Sequence, residues 1–147
     1  MEIRVQAEDF DVQALYQELL VENKTGAVVI FVGLVREFSD NPKASFFELE
    51  HYPGMTEHNI RQITDAALAR WPLLKGTVVH RVGKLSVNDQ IVFVGVSAEH
   101  RAEAFNACDF IMDYLKSRAA FWKKEQTPHS SAWVNAKESD EKQLNRW

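Results

Sequence analysis

The chain has 147 residues, of which 46% are hydrophobic and 26% are charged, a composition that predicts one globular domain spanning residues 1–147. Its formal net charge of -4 and its lack of an apolar run of about 20 residues argue against a general nucleic-acid binder and a membrane-spanning protein. Without a signal-peptide pattern, we expect a cytoplasmic protein. Its single cysteine, Cys108, excludes an intrachain disulfide and a thiolate-rich metal site, and we expect no metal and no cofactor.

Apolar patterns predict the first elements of the chain. Residues 2–7 alternate like a short first or edge strand, and residues 10–21 have the spacing of an amphipathic helix. Asp9 or Asp11 can cap that helix, because a short polar side chain accepts a hydrogen bond from a free backbone N–H. Residues 26–36 are rich in β-branched side chains and predict a strand buried on both faces.

Glycine and proline positions predict irregularities around that strand. Gly33 inside it indicates a bulge or a close backbone approach. Residues 36–43 are polar and predict a mobile loop. Residues 44–52 alternate and predict a strand that pairs with the preceding one.

The middle of the chain predicts a helix followed by two strands. Thr56 is expected to cap a helix that ends near residue 70, with Leu68 among its inward-facing residues. Residues 77–85 and 90–98 then predict a hairpin, whose second strand is buried on both faces.

A third helix is predicted over residues 100–118, with an apolar stripe on one face. Two short strands follow, at 121–127 and 132–136, and Ser139 is expected to cap a last helix. The order of elements predicts an α+β fold on a mainly antiparallel sheet. The stripe consists of Phe105, Cys108, Ile111, Met112 and Leu115.

Cations are concentrated where the third helix ends and the next strand begins, beside two aromatic rings. A lysine that is partly desolvated next to another cation has a lowered pKa and can act as an acid, a base or a nucleophile. The alternative is a solvated helix end whose cations complement the helix dipole. The residues concerned are Lys116, Arg118, Phe121, Trp122, Lys123 and Lys124.

Further cations follow two of the predicted buried strands. Arg36 follows one strand, and His100 and Arg101 follow another at the start of the third helix, where free N–H groups favour an anion. If the two strands run in the same direction, these cations converge with Lys116 and Lys123 on a phosphate-sized pocket. Alternatively, each is a solvated surface charge.

Three other reactive side chains favour structural roles. His51 and His80 lie in predicted strands beside apolar residues, so half-buried histidines are expected there rather than ligands. Cys108 lies on the apolar stripe and is expected in the core rather than as a nucleophile.

Several ordered sequence blocks, taken together, resemble the large, catalytic subunit of molybdopterin synthase. The resemblance covers nearly everything from residue 26 to residue 147. The blocks are LEHYPGMT (49–56), VHRVG (79–83), IVFVGV (91–96), AEHR (98–101), FIMDYLK (110–116), FWKKE (121–125) and ESD (138–140).

The resemblance implies a sulfurtransferase with an α/β-hammerhead-like fold. Members of that family transfer sulfur from the Gly-Gly C-terminal thiocarboxylate of a small ubiquitin-like subunit to cyclic pyranopterin monophosphate, which becomes the dithiolene of molybdopterin. Their assembly is a homodimer of large subunits with one small subunit at each end.

The resemblance also implies the site residues. It places the reaction at Lys116 and Lys123. Lys137 stands where we expect arginine in many relatives, so it keeps the charge but lacks a two-pronged grip on phosphate. The implied substrate-binding residues are Phe31, Leu34, Val35, Arg36, His100, Arg101, Met112, Lys124, Glu125 and Lys137.

A second hypothesis is a non-catalytic anion-binding or adaptor domain of the same fold. The presence of both Lys116 and Lys123 favours the enzyme. The role of Lys116 stays open between acid–base catalysis, electrostatic stabilisation and a transient covalent bond.

Overall fold

The computed structural model describes residues 1–39, 45–134 and 137–147, which form eight strands and four helices. The strands are β1 (Glu2–Gln6), β2 (Ala27–Leu34), β3 (Phe46–His51), β4 (Leu73–Arg81), β5 (Gly83–Ser86), β6 (Gln90–Ala98), β7 (Phe121–Gln126) and β8 (Ser131–Val134). The helices are α1 (Val12–Glu18), α2 (Met55–Arg70), α3 (Arg101–Arg118) and α4 (Glu138–Leu144).

The strands form two four-stranded sheets. The first has the order β1-β4-β6-β2, and the second has the order β5-β3-β7-β8. Every pairing is antiparallel except that of β1 with β4. The predicted α+β class is therefore confirmed, with two mostly antiparallel sheets where the sequence suggested one.

The first sheet carries the main core between its strands and the long helices α2 and α3. The buried members of this core include Ile63 of α2, Val94 of β6 and Ile111 of α3. On the opposite face, Leu19 after α1 packs with Phe93 of β6 in a smaller cluster. Strand β6 is thus covered on both faces, as its apolar run predicts.

The prediction that β2 is buried on both faces is wrong. Strand β2 lies at the edge of the first sheet and pairs only with β6, so its side chains have fewer neighbours than those of a central strand. Phe31 is 40% exposed and Leu34 is 54% exposed. The predicted bulge at Gly33 is confirmed by a shift of register between Gly33 and Leu34.

The predicted pairing of β3 with β2 is also wrong, because β3 belongs to the second sheet and pairs with β5 and β7. The predicted strand over residues 77–85 is in fact two strands, since β4 ends at Arg81 and β5 begins at Gly83. Gly83 has a φ of 88°, a left-handed conformation that glycine adopts without steric cost. The chain passes there from the first sheet to the second, while β4 still pairs with β6 as expected.

The ends of the short helices agree only partly with the sequence. Helix α1 is shorter than predicted, and Asp11 caps it by accepting a hydrogen bond from the N–H of Ala14 (3.1 Å). Ser139 lies inside α4 and does not cap it, because Lys137 occupies the N-cap position without a side-chain hydrogen bond.

Thr56 has a different role from the predicted helix cap. Gly54 occupies the N-cap position of α2, and its N–H donates to Glu57 Oε2 (2.6 Å). The hydroxyl of Thr56 accepts from the N–H of Tyr52 (3.0 Å) and donates to the carbonyl of Ala120 (2.7 Å). Thr56 therefore fixes the start of α2 to the segment that leads into β7.

Two residues predicted to face inward are exposed. Leu68 on α2 is 41% exposed, and Phe105 on α3 is 60% exposed. Each lies at the border of its helix's apolar stripe, where the turn of the helix carries the side chain away from the sheet. The loop predicted over residues 36–43 falls partly outside the described residues, since it includes 40–43.

Among the described residues, no helix combines the length and the apolar character needed to cross a membrane.

Candidate functional site

Lys123 lies at the centre of the candidate site. In β7 it pairs with Leu49 of β3 on one side and with Val134 of β8 on the other. Its Nζ atom lies 4.4 Å from the centroid of the Phe47 ring, a cation–π contact. The side chain is therefore half-buried against an aromatic wall, as the sequence predicts for a desolvated lysine.

The charges around Lys123 make its amine easier to deprotonate. Burial lowers the pKa of Lys123 below its ordinary value, and the nearby cations Lys116, Lys137 and Arg36 lower it further. Glu125 opposes them, because its carboxylate stabilises the ammonium form. A lysine with a lowered pKa can give up and take back a proton more readily near neutral pH.

Each of the neighbouring cations comes from a different element. Lys116 lies in the last turn of α3 and is exposed, so the burial inferred from the sequence applies to Lys123 and not to Lys116. Arg36 lies two residues after the end of β2. Its neighbour Val35 is buried and is fixed by backbone hydrogen bonds to Asp89 (2.9 Å) and Asn88 (2.7 Å) of the turn before β6.

Lys137 is held near the site by the docking of α4 against α3. Arg146 forms ion pairs with Asp109 (2.7 Å) and Asp113 (2.8 Å) of α3. Trp147 Nε1 also donates to Asp113 Oδ2 (2.6 Å). These contacts anchor the helix that Lys137 begins.

The rings of His80 and Phe121 stack on each other at the start of β7. The imidazole of His80 lies 3.8 Å from the ring of Phe121, with an angle of 20° between the planes. His80 Nδ1 lies 2.8 Å from the carbonyl oxygen of Arg81. Because a carbonyl can only accept, this nitrogen carries the proton.

The surroundings of His80 favour its neutral form. Burial lowers the pKa of His80 from its ordinary 6.5 to about 4, against the opposing effect of the Arg81 carbonyl. The value of about 4 for this pKa includes smaller lowering effects from the charges of Lys116 and His51. The site thus combines a neutral histidine with several cations.

Lys124 and Trp122 face away from Lys123. Successive strand residues point to opposite faces of a sheet, so both lie on the other face of β7. Trp122 is 46% exposed, and Lys124 Nζ lies 5.6 Å from the ring centroid of Trp133. The structure therefore does not bring Lys124 to the other predicted site residues. Of the two rings predicted beside the lysines, Phe121 lies on the same face of β7 as Lys123 and Trp122 does not.

The predicted convergence of Arg36 with His100 and Arg101 does not occur within one chain. Strands β2 and β6 are antiparallel, so the residues that follow them lie at opposite ends of the sheet. Arg101 and Lys116 are also fifteen residues apart on α3, a rise of about 22 Å. His100 and Arg101 are exposed at the far end of that helix.

The apolar residues of the predicted site lie on two elements. Met112 is partly buried, one helical turn before Lys116 on α3. Phe31 and Leu34 are exposed on the edge strand β2, while Val35 is buried, so Val35 supports the backbone before Arg36.

Cys108 is buried in the core, as predicted. Burial raises the pKa of its thiol to about 12, and Sγ donates a weak hydrogen bond to the carbonyl of Val94 (3.8 Å). The thiolate needed for nucleophilic attack is therefore strongly disfavoured.

Sequence reasoning missed Phe47, whereas the predicted half-buried histidine at His80 is confirmed. The alternating pattern of β3 places Phe47 on an inward face, but only the pairing of β3 with β7 brings its ring to Lys123. No local pattern in the sequence specifies that pairing.

The depressed pKa of His80 predicts an acid-dependent loss of stability. The pKa of His80 is lower in the folded state than in the unfolded state, so the unfolded chain binds the proton more tightly. The free energy of unfolding is therefore at its full value above pH 6.5 and decreases as the pH falls from 6.5 towards 4. The loss attributable to His80 should reach up to about 3 kcal/mol. Urea unfolding of the His80→Phe variant should show a correspondingly shallower pH dependence between these limits.

The matched control for this experiment is His58→Ala, which removes an exposed histidine from the start of α2. The pH dependence of its unfolding free energy should follow that of the wild type. The carboxylates are the same in all three proteins, so their contribution cancels in the comparison. If the curves of unfolding free energy against pH are parallel for His80→Phe and the wild type, His80 is not held neutral in the folded state.

The sequence and structure both match known proteins. The sequence profile described as "MoaE protein" matches residues 5–118. The molybdopterin synthase catalytic subunit of Ralstonia nicotianae is 54% identical over 146 residues, which cover 99% of this chain and 83% of that protein.

Solved structures agree with the sequence match. A molybdopterin biosynthesis MoaE protein from Burkholderia ambifaria has a TM-score of 0.85 and 48% identity, covering 99% of this chain and 97% of that one. A complex of subunits 1 and 2 of the molybdopterin-converting factor from Helicobacter pylori contains the same fold, with a TM-score of 0.76, 18% identity and 90% coverage of each chain. The chain therefore belongs to the MoaE family, whose relatives include molybdopterin synthase catalytic subunits.

Proposed function

We propose that this chain transfers sulfur from the C-terminal thiocarboxylate of a small partner protein to cyclic pyranopterin monophosphate, with Lys123 and Lys116 at the reaction centre. Its family membership makes it a sulfur-transferring enzyme of molybdenum cofactor biosynthesis. The observation that carries the proposal is the half-buried ammonium of Lys123 over Phe47, among other cations.

The charge of the site suits the two reactants. A phosphate and a thiocarboxylate are both anions, and Lys116, Lys123, Lys137 and Arg36 provide a local positive field in a chain with a net charge of -4. Charge-assisted hydrogen bonds from these side chains would hold both anions close together.

The lowered pKa of Lys123 suits proton transfer during sulfur exchange. Once the sulfur has replaced an oxygen substituent on a substrate carbon, water attacks the partner's carbonyl carbon and the carbon–sulfur bond to the partner breaks. The partner leaves as a carboxylate and the sulfur stays on the substrate, while the attacking water gives up a proton and the departing thiolate can take one up. Lys123 can supply and recover such a proton, and exposed Lys116 can neutralise the charge that develops on the carbonyl oxygen.

A protein partner is supported by the names of the relatives. A catalytic subunit implies a further subunit, and the Helicobacter pylori structure is a complex of two subunits. The partner we propose is the small ubiquitin-like sulfur carrier, whose Gly-Gly tail would run over Phe47 towards Lys123. Glycines suit a narrow path, because they carry no side chain.

A second copy of the chain would complete the substrate site. His100 and Arg101 cannot reach Lys116 of their own chain, so in a homodimer the other copy would supply them. Phe31, Leu34 and Phe105 are large exposed apolar side chains that would favour such a contact. With a small subunit at each end, this dimer becomes a heterotetramer. A cytoplasmic location remains a prediction.

The variant Lys116→Ala should lose sulfur transfer while keeping its fold, because Lys116 is exposed and its removal leaves no core cavity. Product formation would be followed with thiocarboxylated partner and cyclic pyranopterin monophosphate. Lys123→Ala should behave alike, whereas the exposed Lys142→Ala on α4 serves as the control with wild-type activity. Full activity in folded Lys116→Ala would remove Lys116 from the reaction centre.

The variants Arg36→Ala and Arg101→Ala should each weaken substrate binding about ten- to hundredfold, the effect of one charge-assisted hydrogen bond to phosphate. Calorimetric titration would measure this, with Arg61→Ala as the control because the Arg61 guanidinium bonds the carbonyl of Met1 instead.

Mixing two impaired variants, at a substrate concentration that does not saturate Arg101→Ala, tests the proposed second copy. If Arg101 acts in the site of the other protomer, mixed dimers of Arg101→Ala and Lys116→Ala contain one intact site and regain part of the activity. If the mixture shows only the sum of the activities that the two variants have separately, the site is not shared between protomers.

A further inference from the structure

We propose that His80 is a positioning residue for sulfur transfer, because its imidazole stacks on Phe121 and so fixes the strand that carries Lys123. This inference rests on the proposed function of the lysine site. It assigns a role to a histidine that the sequence pattern places among apolar neighbours and leaves without a ligand.

The position of His80 links the two sheets. In β4 it lies between Val92 of β6 and Val5 of β1, two apolar neighbours in the first sheet. Its ring contacts Phe121, the first residue of β7 in the second sheet. His80 therefore provides a contact between the sheets at the point where the lysine strand begins.

The stack acts on Lys123 through a short path. Phe121 and Lys123 are two residues apart in β7, so their side chains lie on the same face of the strand. Phe121 also pairs with His51, while Lys123 pairs with Leu49, both in β3. A displaced Phe121 ring would move this end of β7 and shift the lysine relative to the ring of Phe47.

The hydrogen bond of His80 fixes the plane of its ring. Nδ1 donates to the carbonyl of Arg81, which is the last residue of β4. The Arg81 guanidinium donates elsewhere, to the carbonyls of Ala7 and Gln90. The imidazole is thus oriented by the backbone carbonyl of the next residue and presents its flat face to Phe121.

His80 must stay neutral to hold the stack with Phe121, because cationic groups lie near its ring. Lys116 from α3 and His51 from β3 act on it electrostatically, and Glu57 of α2 lies 3.9 Å from His51. The neighbours in β1 and β6 are apolar. A protonated His80 would therefore add a cation beside Lys116 and disturb the stack and the lysine site together.

Three variants separate the ring from its hydrogen bond. His80→Phe keeps a flat ring over Phe121, His80→Gln keeps polar atoms without an aromatic ring, and His80→Ala removes both. In the reconstituted enzyme, His80→Ala and His80→Gln should lower kcat about ten- to hundredfold with KM changed less than about twofold, because a small displacement of a reacting group slows chemistry more than it weakens binding. His80→Phe should recover kcat to within about threefold of the wild type.

His58→Ala is the control and should retain wild-type kcat and KM, and circular dichroism would confirm the fold of each variant. Wild-type kcat in folded His80→Ala, or equal losses in His80→Phe and His80→Gln, would overturn the inference. If His80→Ala does not fold, the comparison of His80→Phe with His80→Gln decides. If the reconstituted wild-type enzyme forms no product, that result refutes the proposed function instead.

Discussion

The partial burial of the Lys123 ammonium over the ring of Phe47 is the interaction on which the candidate site depends. Removing a charge from water beside other cations costs free energy, and the fold must offset that cost elsewhere. Glu125 on the same strand offsets part of it. The backbone pairings of β7 with β3 and β8 hold the strand in place and offset the remaining cost.

The site exists because the chain places distant residues around one strand. Arg36 follows the edge strand of the first sheet, Lys116 lies in the last turn of α3, and Lys137 is the N-cap of α4. The passage at Gly83 carries the chain into the second sheet, where β3 gives Lys123 its aromatic wall. The cations are far apart in sequence, so their proximity is a property of the topology.

Local patterns predicted most elements and the concentration of cations after the third helix, because hydrophobic periodicity and charge clustering are properties of neighbouring residues. The bulge at Gly33, the doubly covered β6 and the buried Cys108 all follow from such patterns. Strand partners do not, so the pairing of β3 with β7 and the edge position of β2 were missed. The convergence of Arg36 with His100 failed for the same reason, since strand direction decides which ends meet.

Direct titration of Lys123 tests whether its ammonium is partly desolvated beside other cations. Lysine side chains labelled with ¹³C-methyl groups report their own ionisation by NMR, and Lys123→Arg would assign the signal. We expect the pKa of Lys123 to lie below the ordinary lysine value and to rise in Lys116→Ala, because a neighbouring cation is removed. A Lys123 pKa at or above the ordinary value, unchanged in Lys116→Ala, would contradict this expectation.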